Sequence, residues 1–81
     1  MRIPRDLSGQ DVVRALAAFG YSVTRQTGSH LRVTTTQRGE HHVTVPNHAA
    51  LRVGTLSGIL TAVADHFAMT RDEVVGRLFA Q

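Results

Sequence analysis

From His30 to Val45 the sequence alternates. Leu31 and Val33, then Val43 and Val45, take every second position, while His30, Arg32, Thr34, His42 and Thr44 fill the positions between. Successive side chains of a β-strand point to opposite faces, so each run builds a strand with one apolar and one polar face. Short antiparallel strands of this kind are stable only once other elements cover their apolar face. That requirement decides how the rest of the chain must fold.

The flanking segments supply the cover. Ser8 is placed to cap a helix and Asp11 to answer it in a capping box. Val12, Val13, Leu16, Ala17 and Phe19 follow near helical spacing, and Gly20 is the stop signal. Tyr21 to Arg25 alternates and is rich in β-formers, giving a first strand, with Thr27-Gly28 as a turn. The second strand is expected over His30 to Thr36, a hairpin loop at Gln37-Arg38-Gly39-Glu40, and the third strand over His41 to Val45, ended by Pro46. After a loop, a helix starts around Thr55 with Leu56, Ile59, Leu60, Val63 and Phe67 as its apolar stripe. Thr70-Arg71-Asp72-Glu73 is a second capping box and opens a last helix carrying Val74, Val75, Leu78 and Phe79. The expected fold is α+β, in the order α-β-β-β-α-α, with a three-stranded antiparallel sheet covered by helices on one face. The other face, with His30, Arg32, Thr34, His42 and Thr44, is left open to water.

Size and charge narrow the functional classes. Residues 1–81 are expected to form one domain, and a chain of this length buries only about 60–65% of its unfolded surface, too little for a deep cavity. An active site would therefore be a surface face or shallow groove. All nine basic residues are arginine, and the net charge is +3. Between Ser8 and Ala64 the only acids are Asp11 and Glu40, against Arg14, Arg25, Arg32, Arg38, Arg52 and four of the five histidines. Arginine without lysine fits the codon usage of a GC-rich genome; it also fits phosphate, which guanidinium grips in bidentate geometry. An anionic partner is favoured. With no cysteine, disulfides and thiolate metal sites are excluded. No apolar run approaches the ~20 residues of a membrane span, and Met1-Arg2-Ile3-Pro4 shows no signal peptide, so a cytoplasmic protein is expected.

Three stretches in order, "SGQDVVRALAAFGYSVTRQTGSHLRV", "VTVPNH" and "GTLSGIL", resemble the HicA (YcfA-like) mRNA interferase toxins of toxin–antitoxin modules. The resemblance runs from about Ile3-Pro4 to the helix end near Phe67. It rests on a glycine-serine-histidine after the first strand, a valine-proline-x-histidine after the third, and a glycine-threonine-leucine opening the next helix. It implies a fold like a double-stranded-RNA-binding domain, ribosome-independent cleavage of mRNA, and a HicB-like antitoxin that binds and blocks the toxin. It also implies that His30, the histidine of the glycine-serine-histidine motif, is catalytic. The last helix, over residues 70–79, is longer than in the smallest members and could serve a partner or self-association, as a homo-oligomer or a hetero-oligomer with the antitoxin.

The chemistry stands on its own residues as well. RNA carries its nucleophile, the 2′-hydroxyl, so a minimal ribonuclease needs a base, a cation for the charged transition state and a proton for the departing 5′-oxygen. Histidine titrates near neutrality and suits the proton transfers. Arg32 lies two residues along the same strand face and could grip the phosphate; a solvated strand arginine is the plain alternative. Ser29 is either a turn hydroxyl or a contact to RNA, and His48 either a second proton-transfer group or a loop hydrogen-bonding residue. His41 and His42 are strand neighbours on opposite faces and cannot chelate a metal as a pair. His66 ends a helix, where a cation is favourable, and Gly54-Thr55-Leu56 is most simply a helix start. No metal and no cofactor is expected. Two other classes fit less well: a non-catalytic RNA-binding module on the same fold, and a helix-turn-helix DNA binder made from the last two helices, whose second helix carries only Arg71 and Arg77 as cations.

Overall fold

The structure, a computed structural model, describes residues 3–79. Ser8 opens the first helix, α1 (Gly9–Leu16), through a complete capping box: Asp11 N–H donates to Ser8 Oγ at 3.0 Å and Ser8 N–H to Asp11 Oδ2 at 3.0 Å. Those donors to its oxygens, the Ser8 backbone foremost, hold the Asp11 carboxyl below its ordinary range. A single 3₁₀ turn, Ala17–Phe19, follows and ends at Gly20. Three strands come next, β1 (Ser22–Thr27), β2 (His30–Thr35) and β3 (His41–Pro46), forming one antiparallel sheet in that order. Then come α2 (Val53–Phe67) and α3 (Arg71–Phe79). The second capping box also forms, Glu73 N–H to Thr70 Oγ1 at 3.1 Å and Thr70 N–H to Glu73 Oε1 at 2.9 Å.

The element order is the expected α-β-β-β-α-α. Boundaries moved by a residue or two: β1 includes Thr27, because the turn is Gly28-Ser29, and α2 begins at Val53 rather than around Thr55, with no side-chain cap at Arg52. Leu31, Val33, Val43 and Val45 are buried, as periodicity required, and the three valines pack with Val12, Leu16 and Phe19 from the α1 segment and with Ile59, Leu60, Val63, Phe67, Val74 and Val75 from α2 and α3. Phe19 and Phe67 meet at 4.8 Å between ring centroids, and the Arg77 guanidinium lies 5.1 Å over the Phe19 ring. Thr35 is the one buried polar residue among those described; its hydroxyl donates to Phe19 C=O at 2.7 Å and accepts from Gln37 N–H at 3.1 Å, so its burial leaves nothing unpaired. Every residue of β1 is exposed, Val23 included.

Two histidines fasten the β2–β3 loop to α2. His66 Nε2–H donates to Gln37 C=O at 2.9 Å, and its ring stacks on His41 at 4.3 Å with only 8° between planes. His41 Nδ1 in turn shares a 2.8 Å hydrogen bond with the hydroxyl of buried Tyr21, whose pKa burial pushes up to about 12. Phe67 closes the cluster edge-on against His66 and Tyr21.

This joint makes stability depend on pH. Burial first, then the neighbouring His66 and His42, hold the His41 imidazole below its usual range. The unfolded chain therefore binds a proton more readily than the folded one, so the stability present above about pH 6.5 is lost as pH falls through the folded value. The midpoint of thermal unfolding should drop between about pH 7 and 5, and His41→Gln should show a shallower drop. Equal slopes in the two proteins contradict this assignment.

A second expectation concerns Ala68, which ends α2 in a left-handed conformation at φ 55°. A side chain there costs roughly 1–2 kcal/mol that glycine avoids. Allowing for the greater entropy of glycine when unfolded, Ala68→Gly should stabilise the fold by about 0.5–1 kcal/mol, measured by urea unfolding. A loss of stability contradicts it.

Candidate functional site

His30 owes its position to a two-residue turn. Thr27 pairs with His30, and Gly28 and Ser29 connect them, with Gly28 at φ 57°. A two-residue hairpin turn with positive φ at its first central residue selects glycine, because a Cβ would be strained there. On its other side His30 pairs with Pro46 of β3. Since Leu31 and Val33 are buried, His30, Arg32 and Thr34 point to the face without helices, His30 exposed and Arg32 and Thr34 half-buried. Alternate residues lie about 6.7 Å apart along a strand, which sets the reach between His30 and Arg32.

The chain after β3 is tied to the same end of the sheet. Asn47 N–H donates to Ser29 C=O at 2.6 Å, continuing the β2–β3 pairing into the turn. From below, Gly9 N–H donates to His48 C=O at 2.9 Å and Gln10 Nε2 to Asn47 Oδ1 at 3.2 Å. The helix start approaches so closely that a Cβ on Gly9 would lie 2.1 Å from Pro46 C=O, so only glycine fits. Ser29 and His30 are thus brought beside the Pro46–His48 segment, with the His48 side chain exposed.

Three of the five histidines are engaged inside the protein: His41 with Tyr21, His66 with Gln37, and His42 with Thr34 Oγ1 at 2.7 Å and with Glu40 Oε2 at 3.0 Å. Among the described residues, the rings of His30 and His48 have no such partner. His66 does lie in the last turn of α2, as expected, and it also anchors the loop carbonyl of Gln37.

Sequence reasoning missed Arg25. Strict alternation puts it on the face of Tyr21 and Val23, but β1 carries a bulge: Val23 pairs with Val33, and the next paired residue is Arg25, opposite Arg32. Thr24 is the extra residue, and its hydroxyl reaches Thr34 Oγ1 at 2.8 Å. Directly paired residues of antiparallel strands share a face, so Arg25 stands on the open face beside Arg32. No composition signal marks a bulge; it exists only once two strands are paired.

The open face therefore carries His30, Arg25, Arg32 and His42 among threonines, and Glu40 at its margin is occupied by His42. Neither Phe nor Tyr joins it, since Phe19, Tyr21 and Phe67 are core residues and Phe79 is on α3. A groove of about 630 Å³ opens elsewhere, between the N-terminal segment and the start of α2, lined by Ile3, Leu7, Leu51, Val53, Leu56 and Arg71 among others. None of Ser29, His30, Arg32 or His48 lines it. Among the described residues no three of His, Cys, Asp and Glu come together as metal ligands would, and no helix is long and apolar enough to cross a membrane.

Comparison with curated proteins and with solved structures found no match. Comparison with protein families found one: the HicA toxin of bacterial toxin-antitoxin systems, over residues 9–63, a span from the start of α1 into α2 that holds the whole sheet and all four of the residues singled out at the site. The chain belongs to the HicA toxin family.

Proposed function

We propose that this chain is an mRNA interferase, the toxin of a HicA/HicB-type module, and that its sheet face open to water is the catalytic surface. The observation that carries the reading is the pairing of an exposed, unpartnered His30 ring with Arg32 two residues along the same face, in a member of this family. His30 takes the proton from the 2′-hydroxyl as that oxygen attacks phosphorus. Arg32, two residues along the same face, grips the RNA backbone through a phosphate beside the one attacked. The bond from phosphorus to the 5′-oxygen breaks, and that oxygen takes a proton from His48 or from water. Ser29, in the turn before His30, contacts the RNA backbone. The products are a 2′,3′-cyclic phosphate and a 5′-hydroxyl.

The whole of residues 1–81 acts as one HicA-like domain resembling a double-stranded-RNA-binding domain in its layout, one sheet with helices packed against one side. It needs no cofactor, and the reading that it needs no metal is supported by the scatter of its six acids. Its work belongs in the cytoplasm, where mRNA is found. A HicB-like antitoxin silences it by covering His30 and the surface around it, which has no cover of its own.

His30→Ala separates this reading from its rivals. The side chain faces away from Leu31 and Val33, so its loss should change stability by less than about 0.5 kcal/mol. Loss of the proton-transfer group should slow cleavage by about 10²–10⁴. An unstructured RNA incubated with wild type in EDTA should be cut to 2′,3′-cyclic phosphate ends, and His30→Ala should bind that RNA but leave it whole. Products ending in 3′-hydroxyl, activity only with added magnesium, or a folded variant cutting at the wild-type rate contradict the mechanism.

A further inference from the structure

The bulge in β1 sets two arginines directly opposite each other. Arg25 pairs with Arg32 on the open face, and among the described residues neither joins an ion pair. Like charges directly opposite destabilise a strand pair. Fold stability therefore gives no reason for this arrangement. Edge protection gives half of one: a bulge and a charge on an exposed edge strand discourage pairing with other chains, but that purpose does not require the charge to face a second cation.

We infer that Arg25 and Arg32 form a clamp for one backbone phosphate, that of the nucleotide next to the cleaved linkage; this rests on the proposal that single-stranded RNA is the substrate. The geometry of the sheet carries it. Paired side chains start about 5 Å apart across the strands, close enough for two guanidiniums to converge on one phosphate in bidentate contact. His30 stands on the next rung, between Thr27 and Pro46, while Thr44 completes the arginine rung on β3. The two rungs are separated by about 6.7 Å along β2, a spacing close to that of successive phosphates on an extended single strand. An RNA strand running along β2 thus places one phosphate at the clamp when its neighbour is at His30. The face offers no Phe, Tyr or Trp on which bases could stack, so its grip is on the backbone and tolerant of sequence.

The test is the salt dependence of binding to an unstructured 2′-O-methyl RNA, which keeps the phosphates and lacks the nucleophile. Arg25→Gln should weaken binding roughly tenfold at low salt and reduce the slope of log K against log[NaCl] by about 0.7, the single-strand value for one phosphate contact. The loss should be the same for different base sequences. Arg14→Gln, on α1 and paired with Asp11, should bind as wild type. Relief of the opposed charges should leave the melting temperature of Arg25→Gln equal to or above that of wild type. A variant with wild-type affinity and slope overturns the clamp, whether or not it self-associates as a lost edge guard would. So does a loss of affinity that comes only with a loss of stability, or a wild type that does not bind the RNA at all. The parent reading fails separately: a wild type that binds through Arg25 yet cuts no RNA keeps the clamp and removes the enzyme.

Discussion

The register between β2 and β3 is the constraint from which the rest follows. His30 pairs with Pro46, Leu31 with Val45 and Val33 with Val43. A slip of one residue would turn Leu31 and Val33 out to water and drive His30 and Arg32 into the core. Burial of a Val or Leu side chain is worth about 1.5–3 kcal/mol, and four such side chains hold this register. The ends of the ladder are pinned as well. At one end the Gly28-Ser29 turn and the bond from Asn47 N–H to Ser29 C=O fix where β2 begins; at the other, His66 and His41 fasten the loop between the strands to α2. Gly9 lets α1 press against the Pro46 carbonyl, which transmits helix packing directly to the strand end that carries the site.

A sheet covered on one side has a consequence for chemistry. The core uses up the apolar face, and what remains is an exposed polar surface with excess positive charge. Such a surface suits a reaction in which the substrate brings its own nucleophile and the protein adds proton transfer and charge. It also suits control by a second protein, because an exposed site is blocked by whatever covers it.

Much of this was legible before any coordinates. Period-two alternation located β2 and β3 and assigned His30, Arg32, Thr34, His42 and Thr44 to one face, because burial enforces the alternation. Both capping boxes were readable, since each is closed by groups three residues apart. The unreadable parts depend on distant partners. Arg25 changes face through a bulge that exists only against β2, and His66 meets a carbonyl 29 positions away in sequence. The exposure of β1 was hidden too: its alternation resembles that of a covered strand, yet every one of its residues is exposed. At the site, sequence placed Ser29, His30 and Arg32 together by local spacing. Only the fold shows that the segment leading to His48 is tied to the same turn.

The central claim is that RNA is held on the open face of the sheet. It is tested most directly by titrating isotope-labelled protein with an uncleavable 2′-O-methyl RNA and following its backbone amide NMR signals. The account predicts shifts concentrated at Arg25, Ser29 to Thr34, Thr44 and Asn47-His48, with α2 and α3 unmoved. Shifts confined to α2, α3 or the groove between the N-terminal segment and α2, with the sheet face silent, would contradict it.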